Sequence, residues 1–315
     1  MMFRWLWMGV LCGLGVCAWG CGSDDGSSAS ATSASPGCEG GTLVSTVTHV
    51  DLEFDGMGRS YEVHVPPSYD GTTPLPLVLS FHGFTSSGLG QQQLTQMNGL
   101  ADREGFLVAY PNGLNASWNA GVCCGRSAES NVDDVGFTRA LIDDIGGRGC
   151  IDRLRIYATG MSNGGFFSQR LACEAADIIA AVAPVASVLG IDDAACIPAR
   201  PIPIIQFNGT GDPLVSYYGG GLTGSPSVEA NTAGWIDRNG CTGEPVASYQ
   251  NGVATCETVD QCADDASVTL CTIEGGGHCW PGYPCDQIDG LGESTTDIDA
   301  NEVMWELFRR TALPQ

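Results

Sequence analysis

Leu154-Arg155-Ile156-Tyr157-Ala158-Thr159-Gly160-Met161-Ser162-Asn163-Gly164-Gly165 is the stretch whose reading decides the fold. An apolar, partly β-branched run ends at Gly160, and a helix-like run begins just past Gly165 and continues over residues 166–174. Between them lies G-x-S-x-G, Gly160 to Gly164. A strand that turns so abruptly into a helix strains the serine backbone and brings the two backbones close enough that only glycine fits beside it. The turn would lift the Ser162 hydroxyl clear of the carboxyl end of a sheet. A glycine-rich turn carrying an incidental serine is the competing reading, since five-residue patterns recur by chance. The strand before and the helix after argue against it. Ser162 is the candidate nucleophile.

Working outward, residues 48–54 and 61–65 alternate apolar and polar around Asp55-Gly56-Met57-Gly58, which predicts an opening antiparallel hairpin. Residues 75–81 read as a buried strand. One helix is expected over 91–104, with Leu94, Met97, Leu100 and Ala101 on one face and Gly105 closing it. A strand follows at 106–110 and an amphipathic helix at 133–145. Short strands are expected at 180–185 and 203–207. Helices at 228–238 and 297–310 enclose a hairpin spanning about 246–273. A hairpin followed by alternating β and α implies an α/β protein, with a mainly parallel sheet and helices on both faces.

In such sheets chemistry sits at the carboxyl ends of the strands. After strand 203–207 comes Asn208-Gly209-Thr210-Gly211-Asp212-Pro213, and after strand 268–273 comes Gly275-Gly276-Gly277-His278. Asp212 stands where a carboxylate could orient an imidazole, although Asp-Pro is also common turn chemistry. Of four histidines, His49 and His64 fall within expected strands and His82 precedes the serine, which leaves His278 as the base. The chain order Ser162, Asp212, His278 is that of the α/β-hydrolase fold. Asp133 and Asp134 precede the serine and suit the acid's place less well. Two backbone N–H groups must face the oxyanion, one following the nucleophile and one from an earlier strand's loop. Asn163 supplies the first, and Phe84, in His82-Gly83-Phe84-Thr85, the second.

The first twenty residues read as a signal peptide: Arg4, an apolar stretch too short to span a bilayer, then Ala18-Trp19-Gly20-Cys21. That ending resembles a bacterial lipoprotein signal, in which Cys21 would be lipidated; Trp19 is untypical there, so plain secretion stays open. Residues 21–37 are mostly Ser, Ala, Gly and Asp and read as a flexible tether, leaving 38–315 as the catalytic domain. Fifteen cysteines, less Cys12, Cys17 and Cys21, leave twelve for up to six disulfides in an oxidising compartment. Cys150–Cys173 and Cys256–Cys271 are plausible pairs, Cys241–Cys262 and Cys279–Cys285 weaker ones. Cys38, Cys123, Cys124 and Cys196 stay unassigned. No C-x-x-C or finger spacing supports zinc, so no metal and no cofactor is expected. The net charge of −23, with no lysine, disfavours nucleic acid and anionic lipid. It also removes P-loop and Schiff-base chemistry. Gly219, Gly221 and Gly224 form a G-x-G-x-x-G that precedes Ser225-Pro226-Ser227 rather than a helix start, and read as loop.

From about residue 59 to 282 the chain resembles secreted serine esterases related to polyhydroxybutyrate depolymerases and feruloyl esterases. The marks are Phe81-His82-Gly83, Trp118-Asn119-Ala120-Gly121-Val122-Cys123-Cys124-Gly125, Val132-Asp133-Asp134-Val135-Gly136-Phe137, Gly160 to Gly165, and Gly277-His278-Cys279-Trp280-Pro281-Gly282. The resemblance implies the triad Ser162, Asp212 and His278, with Trp118 and Trp280 near the substrate. Asn208-Gly209-Thr210 departs from the His-Gly-Thr of many relatives. The expectation is an exported monomeric esterase, extracellular or in the cell envelope, touching membrane only through Cys21. With no polymer-gripping module after Gln315, feruloyl and acetyl esters are favoured over polyhydroxybutyrate. A serine peptidase on the same fold and a non-catalytic binding lipoprotein are further alternatives.

Overall fold

A computed structural model describes residues 33–221, 224–285 and 290–315. The expected signal peptide, Cys21 and the tether up to residue 32 lie outside the described residues. Ten strands form one sheet: β1 (Val47–Phe54), β2 (Met57–His64), β3 (Leu75–Phe81), β4 (Leu107–Asn112), β5 (Ile151–Met161), β6 (Ala181–Val185), β7 (Ile204–Gly209), β8 (Val246–Asn251), β9 (Ala254–Val259) and β10 (Val268–Ile273). Their order is β1-β2-β4-β3-β5-β6-β7-β10-β9-β8. The six central strands, β4 to β10, run parallel, with antiparallel pairs at both edges. The helices are α1 (Gly88–Thr95), α2 (Asn98–Glu104), α3 (Arg126–Glu129), α4 (Asp134–Arg148), α5 (Asn163–Glu174), α6 (Val228–Arg238) and α7 (Ala300–Phe308).

The period of two along the central strands divides the core. Leu77, Leu79, Phe81, Ile156, Ala158, Val182 and Ile204 face α4, α5 and α6, packing with Leu141, Ile145, Phe166, Phe167, Leu171 and Trp235. Their neighbours Val78, Tyr157, Ala181, Ala183 and Ile205 face the other way, against Leu100 of α2 and Met304, Trp305 and Phe308 of α7. Both faces are covered, so the central strands read as almost unbroken apolar runs. Each large apolar side chain fully buried in these layers contributes roughly 1.5–3 kcal/mol.

Four expectations need correction. The single helix over 91–104 is two, because Gln96 adopts a left-handed φ of 50° and the Thr95 carbonyl is occupied by Asn301 Nδ2 at 2.7 Å. The hairpin over 246–273 has three strands, with β10 continuing into the parallel core. The tether ends earlier than Gly37: Ser33 O accepts from Arg153 N–H at 2.7 Å, and buried Ser35 bonds both Gly149 and Ile151. Lastly, Cys150 does not join Cys173. Those Ser35 contacts lay the 33–41 segment along the start of β5 and bring Cys38 to Cys150, while Cys173 joins Cys196. Cys241–Cys262, Cys256–Cys271 and Cys279–Cys285 pair as expected. Cys123 and Cys124 pair with each other.

Candidate active site

β5 runs into α5 through Ser162, whose φ of 53° and ψ of −121° lie where non-glycine residues are strained, by roughly 1–3 kcal/mol. Neighbouring contacts hold it there. Ser162 N–H donates to Val185 O at 3.0 Å, and Ser162 O accepts from Phe166 N–H at 2.9 Å. Glycine is required beside it: a Cβ on Gly160 would stand 2.6 Å from Phe81 O, and one on Gly164 only 2.1 Å from the same oxygen.

Asp212 follows β7 and His278 follows β10, neighbouring parallel strands. The glycines between strand and histidine let the two loops interlock: Gly211 N–H donates to Gly276 O at 2.9 Å, and Gly275 N–H to Thr210 Oγ1 at 2.7 Å. Asp212 Oδ1 accepts the N–H groups of Leu214 and Val215, both at 2.8 Å. Its Oδ2 accepts from His278 Nδ1 at 2.7 Å. Both side chains are buried, at 2% and 6% exposure, so the pair is shielded from competing water. A carboxylate that only accepts fixes the proton on Nδ1. That leaves Nε2 with a lone pair and no protein partner among the described residues.

His278 and Ser162 line one cavity of 670 Å³. Its walls are mainly apolar, with Phe84, Leu94, Val122, Leu214, Trp280 and Leu291 among them. The loop after β3 borders the serine, since a Cβ on Gly83 would lie 3.6 Å from Ser162 Cβ. Neither Phe84 N–H nor Asn163 N–H has an acceptor among the described residues, so each could donate to an oxyanion at Ser162.

Trp118 is a correction. It does not border the cavity; it is fully buried, stacked on Phe167 at 5.4 Å and edge-on to Phe81 at 5.1 Å. Its indole N–H donates to His82 O at 3.0 Å. Packing of a large ring against three phenylalanines outweighs exposure at a loop. Trp280 does border the cavity, although no surface of it reaches solvent, and its indole N–H donates to Asn301 Oδ1 at 3.1 Å.

Three contributors went unread in the sequence. His82 is buried and uses both nitrogens, Nδ1–H donating to Gly83 O at 2.7 Å and Nε2 accepting from Gly113 N–H at 3.0 Å. Burial pushes its pKa down, and the two bonds require the neutral ring. The Asn163 side chain bridges loops: Oδ1 accepts Trp118 N–H at 2.7 Å, and Nδ2 donates to Cys123 O at 2.8 Å. Cys123 and Cys124 themselves line the cavity. Asp134, the weaker candidate for the acid, is committed elsewhere, to Arg59 at 2.8 Å and Asn119 N–H at 2.7 Å. Among the described residues no cluster of three or more His, Cys, Asp or Glu could hold a metal.

The family model described as "Esterase PHB depolymerase" matches residues 59–214. A relative named "Putative esterase NocK", from Nocardia uniformis subsp. tsuyamanensis, is 30% identical over 75% of this chain and 75% of its own. The chain belongs to this esterase family. Feruloyl esterase B of Piromyces equi is 37% identical over 70% of the chain, which spans only 42% of that enzyme's length. The acetyl xylan esterase structure from Aspergillus awamori matches with a TM-score of 0.57 at 14% identity, covering 83% of this chain and 99% of that one. At that identity it shows the fold, an α/β hydrolase. The family match includes Ser162 and Asp212 and stops short of His278, whose place rests on the geometry above.

Proposed function

We propose that the protein is an exported serine esterase that cleaves carboxylic esters through an acyl-enzyme. Ser162 Oγ attacks the ester carbonyl as His278 Nε2 takes its proton, and the tetrahedral oxyanion is held by the Phe84 and Asn163 N–H groups. Protonated His278, stabilised through Nδ1 by Asp212, then gives the proton to the leaving alcohol. Water, activated by the same nitrogen, attacks the acyl-Ser162 carbonyl and frees the acid. One observation carries this reading: a buried Asp212–His278 pair at 2.7 Å opens onto the same cavity as a serine held at positive φ between glycines.

The favoured substrates are feruloyl and acetyl esters of plant-wall sugars. An apolar cavity of this volume accommodates a single aromatic or short aliphatic acyl group. Polyester cleavage is the second reading, favoured by the half-exposed Phe84 and exposed Val122 at the rim, which could meet an apolar polymer surface. Export is supported by the six disulfides among the described residues, since such bonds form and persist in oxidising compartments. In this reading residues 1–20 are removed and Cys21 carries the lipid, which mass measurement of the mature N-terminus would test.

The substrate test is a panel of methyl ferulate, an acetylated xylo-oligosaccharide and a polyhydroxybutyrate suspension, each with wild type and Ser162→Ala. Turnover of the first two and slow clearing of the third is expected, all lost in the variant. Rapid clearing of the suspension without turnover of methyl ferulate would select the polyester reading.

A further inference from the structure

We propose that the Cys123–Cys124 disulfide is the specificity-determining wall of the acyl site, the surface on which the ring of a hydroxycinnamoyl group packs. The inference rests on the reading of Ser162 as the nucleophile. Sheet order sets the direction. Asp212 and His278 come from the loops after β7 and β10, on one side of β5, whereas Phe84 and the 113–133 loop follow β3 and β4, on the other. A leaving alcohol must lie by His278 to receive its proton. The acyl group is therefore directed to the opposite flank, where both bridged cysteines line the cavity beside Phe84 and Val122.

This wall is fixed in place by its neighbours. Cys123 O is held by Asn163 Nδ2 at 2.8 Å, and Val122 N–H donates to Gly190 O at 2.8 Å. On the far side, Gly125 lies so close to Phe84 that a Cβ there would stand 2.5 Å from the ring. The bridge thus meets the Asn163 side chain directly and lies one residue from Gly125, which borders the Phe84 ring; these are the two residues whose N–H groups are proposed to hold the oxyanion. Its sulfurs are uncharged, polarisable and without a donor hydrogen, a surface suited to an aromatic face. Two separate thiols or hydroxyls would be mobile and polar in the same place.

The test compares wild type with Cys123→Ser/Cys124→Ser on methyl ferulate and on 4-nitrophenyl acetate. The preference for ferulate over acetate, as a ratio of kcat/KM, should fall about tenfold, mainly through KM for ferulate. An unchanged ratio, or equal losses on both esters, would overturn the proposal. Should the variant not fold, wild type alone decides. Ferulate, but not acetate, should slow reduction of this bridge by a water-soluble phosphine, followed by iodoacetamide trapping and peptide mapping; equal rates would refute it. A wild type that hydrolyses neither ester and takes no fluorophosphonate at Ser162 contradicts the nucleophile assignment instead, and the protection result then still reports whether the ring rests on the bridge.

Discussion

The two flanks of Ser162 are built by different means. The Asp212–His278 flank is a side-chain device: one hydrogen bond, between residues 66 apart in sequence, set in glycine loops that interlock backbone to backbone. The Phe84–Cys123 flank is built from backbone, its loops tied together by the buried side chains of His82, Trp118 and Asn163. In the proposed mechanism, chemistry on the first flank depends on a few atoms that reach the reacting centre. On the second it depends on packing that never does. Truncations should therefore abolish rate without stability on one side and erode stability on the other.

The largest expected effect is on the first flank. His278→Ala should lower kcat by about four to six orders of magnitude, and Asp212→Asn by about three to four, since triad members act as a unit. Steady-state rates on methyl ferulate, with melting curves alongside, check this; a His278→Ala enzyme within tenfold of wild type would break the comparison.

Next come the two tryptophans. Trp118→Ala removes a ring packed in the core and should cost roughly 3–5 kcal/mol in stability. Trp280→Ala should also destabilise, and in addition raise KM, because Trp280 borders the cavity beside His278, on the flank of the leaving alcohol. Urea unfolding and KM separate the two. A larger rise in KM for Trp118→Ala than for Trp280→Ala would reverse their assignments.

The smallest effect concerns His82. Burial holds its folded pKa below the unfolded value of about 6.5, so below that pH the unfolded chain binds the proton more readily. The stability it supports is present above about pH 6.5 and declines as the pH falls through that value. Urea midpoints between about pH 7 and pH 5 should drop more for wild type than for His82→Asn. His49, raised by its bond to Glu62, contributes the opposite slope in both proteins and cancels from the difference. Identical slopes would show that His82 does not carry this proton linkage.

The same contrast explains what the sequence disclosed. The parallel core was legible because Leu75–Phe81 and residues 106–110 are short apolar runs bounded by turn residues, and the elbow because its glycines are sterically required. Asp212 and His278 could be read as candidates because their loops follow strands at the right end of the sheet. Trp118 could not be placed, since nothing local says which side of the Gly/Asn-rich loop faces the core. His82 was set aside by chain order, and its bond to Gly113 depends on the β3–β4 neighbour relation. The Cys150 partner was missed for a similar reason: Cys38 directly follows a stretch whose composition reads as tether, and Ser35 docks that stretch on β5.

Covalent trapping probes the proposed activation of Ser162 as a nucleophile by His278 and Asp212. Wild type treated with a fluorophosphonate and digested should carry one phosphonyl adduct, on the peptide containing Ser162, with loss of esterase activity in proportion to labelling. Ser162→Ala should take no label, and His278→Ala should take it far more slowly. An adduct on a different residue, or full esterase activity in a protein fully labelled at Ser162, would contradict the account.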